Sequence, residues 1–598
     1  MSGGEGAPGQ DPTYGGTGGT DAALRVGMER WAADDVDLDD AALTLAAAHG
    51  GPQALAGARD AFTGALEFGT AGLRGAMGPG PNRMNRAVVV RAAAGLAAYL
   101  LDRLGGDPSA DGRHGVASSP SVVVGYDARR GSARFALDTA AVLVAAGCRV
   151  LLLPSPLPTP VLAHSVLRTG ADAGVMVTAS HNPKDDNGYK VYLGGRVSPG
   201  PGAGVQIVPP ADAEIAARIA AAPPARDVPR ARDGWQVAGA DVVADYVEAA
   251  VALLPPGPRE LRVVTTAMHG VGDDVLRRVL TGAGLLDVVS VPEQSEPDPD
   301  FPTVPFPNPE EAGALDLALA LAAGSAAELV LAVDPDADRC SVAVPDPVLG
   351  PPHSPAGWRQ LSGDDVGALL GEHVLTRSPA PTSPDADEPV TLAASLVSGS
   401  LLHRVAAAHG VRSTGTLTGF KWIARVPGLV MGYEEAIGYC VAPTVTRDKD
   451  GLTTSLLVAE LAAGLRAQGR TLLDALDQLH LRHGVHLTAP VTLRLADMSV
   501  VGPVLQRLLA DPPADLAGVP LDTVEDLSAG VDGLPPTTGV RLRAGSAARV
   551  VVRPSGTEPK LKAYLEVVVP AGADLAQARA AATQRMASLS GQVRALLG

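Results

Sequence analysis

The chain has 598 residues, 46% of them hydrophobic, with a mean hydropathy of +0.15, enough for roughly four domains of ~150 residues with real apolar cores. Its formal net charge of −17 and pI of about 5.2 argue against a nucleic-acid or anionic-membrane binder. Of its 48 basic residues only six are lysine: Lys184, Lys190, Lys421, Lys449, Lys560 and Lys562. A chain that prefers arginine this strongly is expected to keep lysine where a compact, movable ammonium is needed.

Residues 1–24 read as a flexible Gly-rich lead, since the opening stretch has neither the basic nor the apolar region of a signal peptide. Three widely spaced cysteines, Cys148, Cys340 and Cys440, make no disulfide framework and no metal-binding pair, so a reducing cytoplasm is the expected compartment. Helical Ala/Leu stretches then alternate with short β-branched runs, as in Ala136–Ala146 followed by Val150–Leu153, which predicts βαβ units and largely parallel sheets. Proline-rich stretches suggest boundaries for domains at 25–225, 226–345, 346–485 and 486–598. The most apolar long stretch, Ala314 to Val333, carries Asp316 and Glu328 and divides into a helix and the strand Leu329–Val333 rather than spanning a membrane. The last segment is different: Val485–Leu495, Val540–Leu542, Ala548–Val552 and Leu561–Val569 read as antiparallel strands of an α+β domain.

Four motifs carry chemistry. Thr178-Ala-Ser-His-Asn-Pro183 follows the apolar run Ala173–Val177, placing Ser180 just past a strand end, where open α/β sheets bind ligands. Ser180 reads as a nucleophile, a helix cap or a turn residue; His181 is poorly placed as a base for its own neighbour, and no nucleophile elbow surrounds it. Asp334-Pro-Asp-Ala-Asp-Arg339 follows the strand Leu329–Val333, and its three carboxylates can converge on one hard cation, with a phosphate oxygen completing the shell. Arg553-Pro-Ser-Gly-Thr-Glu-Pro559 offers Arg553, Ser555, Gly556 and Thr557 as an anion cradle. In the third domain, Thr418-Gly-Phe-Lys421 and Gly432-Tyr-Glu-Glu-Ala-Ile-Gly438 supply vicinal carboxylates, Glu434 and Glu435, suited to paired sugar hydroxyls or to a plain acidic turn. One motif from each domain predicts a four-part cleft.

Together with Phe68-Gly-Thr-Ala-Gly-Leu-Arg-Gly75, these motifs resemble the α-D-phosphohexomutase superfamily, of phosphoglucomutases and phosphomannomutases, over nearly the whole chain. The resemblance implies three related α/β domains with mixed, largely parallel sheets and a smaller α+β C-terminal domain around a central cleft. It implies that Ser180 is phosphorylated and that Asp334, Asp336 and Asp338 hold one Mg²⁺ per chain together with the phosphoserine oxygen. It matches Arg553, Ser555, Gly556 and Thr557 to the grip on the non-reacting phosphate, Glu434 to the sugar-reading glutamate, and Arg74 to an active-site arginine of the first domain. Thr418, Gly419, Lys421, Glu435 and Arg339 join the expected substrate-binding set, and His181 the catalytic one. The family pattern matches Lys190 and Lys449 as acid/base candidates, with Lys190 preferred and a depressed pKa expected for both. Ala436 stands where many hexomutases carry serine. With Thr265-Thr-Ala-Met-His-Gly-Val-Gly272 and Phe306-Pro-Asn-Pro-Glu310, it resembles the phosphoglucomutase-2-like branch, which includes phosphopentomutases and a glucose-1,6-bisphosphate synthase. The expected activity is interconversion of hexose 1- and 6-phosphates. Glucose 1,6-bisphosphate or a similar compound is the expected activator, sugar phosphates are the only expected partners, and the chain acts as a monomer or homodimer.

Overall fold

The computed structural model describes residues 20–67, 72–105, 119–377, 381–385, 388–495, 497–555, 560–572 and 574–597. In the first sheet Ser121–Tyr126 lies between the parallel strands Arg149–Leu152 and Ala173–Val177. Asp186–Leu193 then turns back antiparallel to Ala173–Val177 and carries Leu73–Ala76 on its other edge. The second sheet places Leu329–Val333 beside the parallel Arg262–Thr266, and Cys340–Pro345 turns back antiparallel. In the third, Thr391–Ser395 lies between the parallel Arg412–Thr416 and Leu429–Glu434, and Gly438–Cys440 turns back antiparallel.

The three sheets thus share one device. A parallel strand ends, a polar loop follows, and the next strand reverses, so each motif loop is a hairpin at the carboxyl end of a sheet. Each loop also holds one non-glycine residue in the left-handed region: Ser180 (φ 53°), Ala337 (φ 56°) and Ile437 (φ 53°). Such backbone strain persists only where the surroundings enforce it. The strands feeding the first two loops, Ala173–Val177 and Leu329–Val333, are buried at every residue, as unbroken apolar runs covered on both faces require.

The fourth sheet is antiparallel throughout, in the order Val485–Arg494, Lys560–Val569, Ala548–Pro554, Val540–Ala544, Thr523–Asp526. The helix Leu575–Leu597 covers it with Ala578, Ala582, Met586, Leu589 and Val593, spaced three or four apart so that they share one stripe. One apolar core runs from Val123 and Leu162 through Leu276 and Leu331 to Leu402 and Leu456, joining the first three domains. The fourth has its own core and meets the third through a small cluster of Leu396, Val397, Leu527 and Val551.

Two features differ from the sequence reading. The helix Asp21–Asp34, capped by Thr20, begins inside the stretch read as lead, and its Met28 and Trp31 pack with Leu55 and Phe62 against Val90 and Ala93; residues 1–19 lie outside the described residues. Gln236–Val237 joins the first sheet and Trp358–Gln360 the second, so both sheets reach past residues 225 and 345. Among the described residues no helix is long and apolar enough to cross a membrane.

Candidate active site

Ser180 is buried in its loop, and its Oγ donates to Asp334 Oδ2 at 2.6 Å. Its backbone N–H donates to Thr178 Oγ1 at 2.9 Å. The loop is clamped from behind by the buried Arg129, whose guanidinium donates to the carbonyls of Ser180 and Asn182 at 2.6 Å each and of Pro183 at 2.7 Å. No motif marks Arg129 in the sequence. His181 Nδ1 lies 3.1 Å from Ser180 Oγ, within hydrogen-bond reach despite being the adjacent residue; the left-handed turn at Ser180 makes this possible. Burial, then Arg339 and Arg74, hold this imidazole well below its usual pKa, so it stays neutral. Arg74 reaches the same loop, donating to Asn182 Oδ1 at 2.9 Å.

Facing Ser180, the ligating oxygens of Asp334, Asp336 and Asp338 all lie within 4.8 Å of one another, in a buried position. The left-handed Ala337 between the last two makes this convergence possible, and Gly451 N donates to its carbonyl at 3.1 Å. A Cβ on Gly451 would lie 2.3 Å from the Arg339 carbonyl, so only glycine lets the third domain approach this closely. Burial and the charges of Asp336 and Asp338 push Asp334 well above the usual carboxylate range. Burial also opposes ionisation of Asp338, but Lys190 and Lys449 outweigh it and draw its pKa down. Asp336 Oδ1 and Asp338 Oδ1 are buried with no hydrogen-bond partner among the described residues. Hard oxygen donors with unmet lone pairs fit a divalent cation of the Mg²⁺ type. Thr159, which no motif marks, donates to Asp336 Oδ2 at 2.6 Å.

Both candidate lysines reach this triad. Lys190 Nζ donates to Asp336 Oδ2 at 2.7 Å and to Asp338 Oδ2 at 2.8 Å, and Lys449 Nζ lies 3.0 Å from Asp338 Oδ2. Their expected depressed pKa values are corrected here. Burial does lower both, but Asp336 and Asp338 outweigh it at Lys190, and Asp338 and Asp448 at Lys449, so both end up raised.

The acidic loop docks onto the third domain. Arg339 NH1 donates to the Ala436 carbonyl at 3.1 Å and to Glu310 Oε2 at 3.3 Å. Glu434 Oε1 accepts from Gly419 N at 2.7 Å, beside the half-buried Thr418. The vicinal pair divides: Glu435 Oε2 accepts from Ser395 Oγ at 3.0 Å and Ser398 Oγ at 3.1 Å, and burial, then Glu434, raises its pKa to about 7. Lys421 is buried, the charges of Asp212 and Arg425 act on it, and among the described residues it makes no hydrogen bond or ion pair with the other candidate site residues.

From the fourth domain, Arg553 ends the strand Ala548–Pro554 with its buried Nε unpartnered among the described residues. Ser555 N donates to the Lys560 carbonyl at 2.8 Å. Gly556 and Thr557 lie outside the described residues. Lys562 acts across the cleft on Glu310, and Tyr564 feels Glu435, Glu434 and Glu310. Glu310, quoted in the sequence only as a branch mark, is therefore part of the site.

Three α/β domains whose polar loops meet at Ser180, the acidic triad and the Ala436 turn, and an α+β domain beside them, are the build of a phosphotransferase of the mutase kind. Family models agree: phosphoglucomutase/phosphomannomutase alpha/beta/alpha domain I matches residues 65–225, domain II 244–348, domain III 362–481, and the C-terminal domain 520–583. The chain belongs to the phosphoglucomutase/phosphomannomutase family. It is 42% identical over 485 residues to the probable phosphomannomutase of Haemophilus influenzae, spanning 81% of this chain and 93% of that protein. It is 33% identical to the human phosphopentomutase over 603 residues, 93% of each chain. A crystal structure of a protein from Thermus thermophilus shares the fold with a TM-score of 0.63 at 24% identity, over 87% of this chain and 99% of that one.

Proposed function

We propose that this enzyme interconverts hexose 1-phosphate and hexose 6-phosphate, of glucose, mannose or both, through a phosphorylated Ser180 and a sugar bisphosphate. The observation that carries this reading is the Ser180 hydroxyl at 2.6 Å from Asp334, beside two further buried carboxylates. Phospho-Ser180 donates its phosphoryl group to the free hydroxyl of the substrate: the Ser180 Oγ–P bond breaks as the sugar O–P bond forms. The bisphosphate turns over in the cleft, and Ser180 Oγ takes the other phosphoryl group back. Positioning and charge stabilisation supply most of the catalysis in such transfers.

The residues divide that work. Arg129 and the left-handed turn aim Ser180, and Arg553, Ser555, Gly556 and Thr557 grip whichever phosphate is not reacting. Thr418, Gly419 and Glu434 bound the sugar, with Arg339 beside Glu310, and Lys421, in the short helix Phe420–Ile423 after Gly419, belongs to the same substrate-binding loop. Glu435, tied to two serines, positions Glu434. The attacking hydroxyl loses a proton and Ser180 regains one; Lys190, Lys449 and His181, with Arg74 at the loop, are the groups placed to move it. Asp334, Asp336 and Asp338 would hold one Mg²⁺, which when bound neutralises charge on the transferring group.

We place the enzyme in the cytoplasm, as a monomer or homodimer, with glucose 1,6-bisphosphate or a similar compound as activator. The likeness to the phosphopentomutase and the loss of a hydroxyl at Ala436 favour a second reading, transfer between the 1- and 5-positions of ribose or deoxyribose. A glucose-1,6-bisphosphate synthase is a third. Side-by-side assays of glucose 1-phosphate, mannose 1-phosphate and ribose 1-phosphate, with and without the bisphosphate, decide among them. Bisphosphate accumulating without isomerisation selects the synthase. Ser180→Ala is expected to lose turnover almost completely while still binding sugar phosphate; normal isomerisation by that variant would sink the phosphoserine mechanism.

A further inference from the structure

The joint between the third and fourth domains forms a cavity of about 580 Å³, open on one side to solvent, a size that suits a small metabolite. No residue proposed above for catalysis or substrate binding lines it. Its walls carry four guanidiniums, of Arg404, Arg541, Arg543 and Arg549, against two carboxylates, of Asp532 and Glu566. In a chain of net charge −17, such a local excess of cations stands against the overall field.

The cations are unevenly neutralised. Arg541 pairs with Glu525 and lies 2.7 Å from Asp532. Arg549 is balanced by Glu566, its neighbour in the next strand, at 3.0 Å. On its other side, however, Arg549 sits directly across from Arg543. Like charges in direct register destabilise a sheet unless something offsets them, and among the described residues Arg543 has only the shared Glu525 and Asp532, at 3.7 and 3.4 Å. On the third-domain wall, the side chain of Arg404, in the helix Leu401–Ala408, has no hydrogen-bond or ion-pair partner among the described residues. Under-neutralised charge therefore faces the cavity from both domains.

We propose that this cavity binds a small polyanion of the bisphosphate class at a site separate from the catalytic cleft, one anionic group on Arg404 and another on Arg543. Two anionic groups are needed because the cations belong to different domains, and a planar guanidinium matches a phosphate group bidentately. The ligand ties the fourth domain to the third. It also touches the hydrogen bonds behind the sugar loop: Arg549 donates to the carbonyls of Leu396, at 3.2 Å, and Ser398, and Ser398 Oγ holds Glu435.

Inorganic pyrophosphate is a suitable probe, titrated calorimetrically into the full-length protein. Two sites per chain are expected, one in the cleft and one in the joint. Arg404→Ala, at an exposed side chain, should weaken one of them at least ten-fold while leaving mutase kcat within two-fold, and Arg553→Ala should remove the other. A single site that survives Arg404→Ala and Arg543→Ala and disappears in Arg553→Ala overturns the proposal. Heat of binding is read without turnover, so this outcome is independent of which sugar the enzyme isomerises.

Discussion

Arg129 and Ser180 are 51 residues apart in the chain, and the guanidinium of the first donates to the backbone carbonyl of the second at 2.6 Å. The same side chain also reaches the carbonyls of Asn182, Pro183 and Asp186, so one buried cation holds the whole serine loop by its backbone.

Removing that cation should therefore affect both fold and rate. Arg129→Ala leaves four carbonyls and the buried Asp127, 3.5 Å from the Arg129 Nε, without their cation. Breaking a buried pair from one side costs on the order of 3–5 kcal/mol. Urea unfolding should show that loss, and kcat should fall at least 100-fold as the Ser180 turn relaxes. Arg129→Lys keeps the charge but not the fork and should lie between. Wild-type kcat in Arg129→Ala would show that the loop needs no clamp.

The carboxylate triad makes a second test. Chelation should abolish turnover and Mg²⁺ should restore it. Because an ion held by the folded triad and not by the unfolded chain stabilises the fold, Mg²⁺ should also raise the melting temperature, with a stabilisation of ~2.7 kcal/mol at a concentration 100 times its Kd. Asp338→Asn should lose most of that rise. A melting temperature indifferent to Mg²⁺ in the wild type would remove the triad as a cation site.

Glu435 gives a pH signature. Its carboxyl titrates at about 7 in the folded protein, raised by burial and Glu434 from an ordinary value of 4.5. The folded state thus keeps a proton that the unfolded state releases. The associated stability is fully present below pH 4.5 and is lost as pH rises through about 7. Glu435→Gln removes this dependence and should be more stable than wild type at pH 8 by on the order of 3 kcal/mol. Parallel stability–pH profiles for the two proteins between pH 5 and 8 would refute it.

How much of this is legible in the sequence depends on what kind of contact carries the function. Asp334, Asp336 and Asp338 declare themselves because side chains at alternate positions just past a buried strand have little to do there except share a ligand. Arg129 is silent because its partners are main-chain carbonyls, which any sequence supplies. Glu434 and Glu435 look equivalent in the string, yet Ser395 and Ser398, some 40 residues upstream, capture one carboxylate. The motifs around Lys190 and Lys449 mark both as neighbours of the chemistry but mislead about the direction of their pKa shifts. Burial is foreseeable from apolar surroundings, whereas the distance to Asp336 and Asp338 emerges only from the fold. The common plan of the first three domains is invisible for a similar reason: it lies in strand direction and in one left-handed residue per loop, neither of which requires a repeated letter.

The continuous core through the first three domains has a mechanical consequence. Side chains interlocked at crystal-like density transmit strain rather than absorb it, so the serine, the acidic loop and the sugar loop behave as one stiff body. The fourth domain meets the third through the small cluster around Leu396, Val397, Leu527 and Val551 and through polar contacts such as Ser400 to Glu566 and Arg549 to the Leu396 carbonyl, a much smaller apolar joint than the core the first three share. In the mechanism proposed above, a bisphosphate that turns end for end would then have one stiff wall, made by three domains, and one wall attached by a lighter joint.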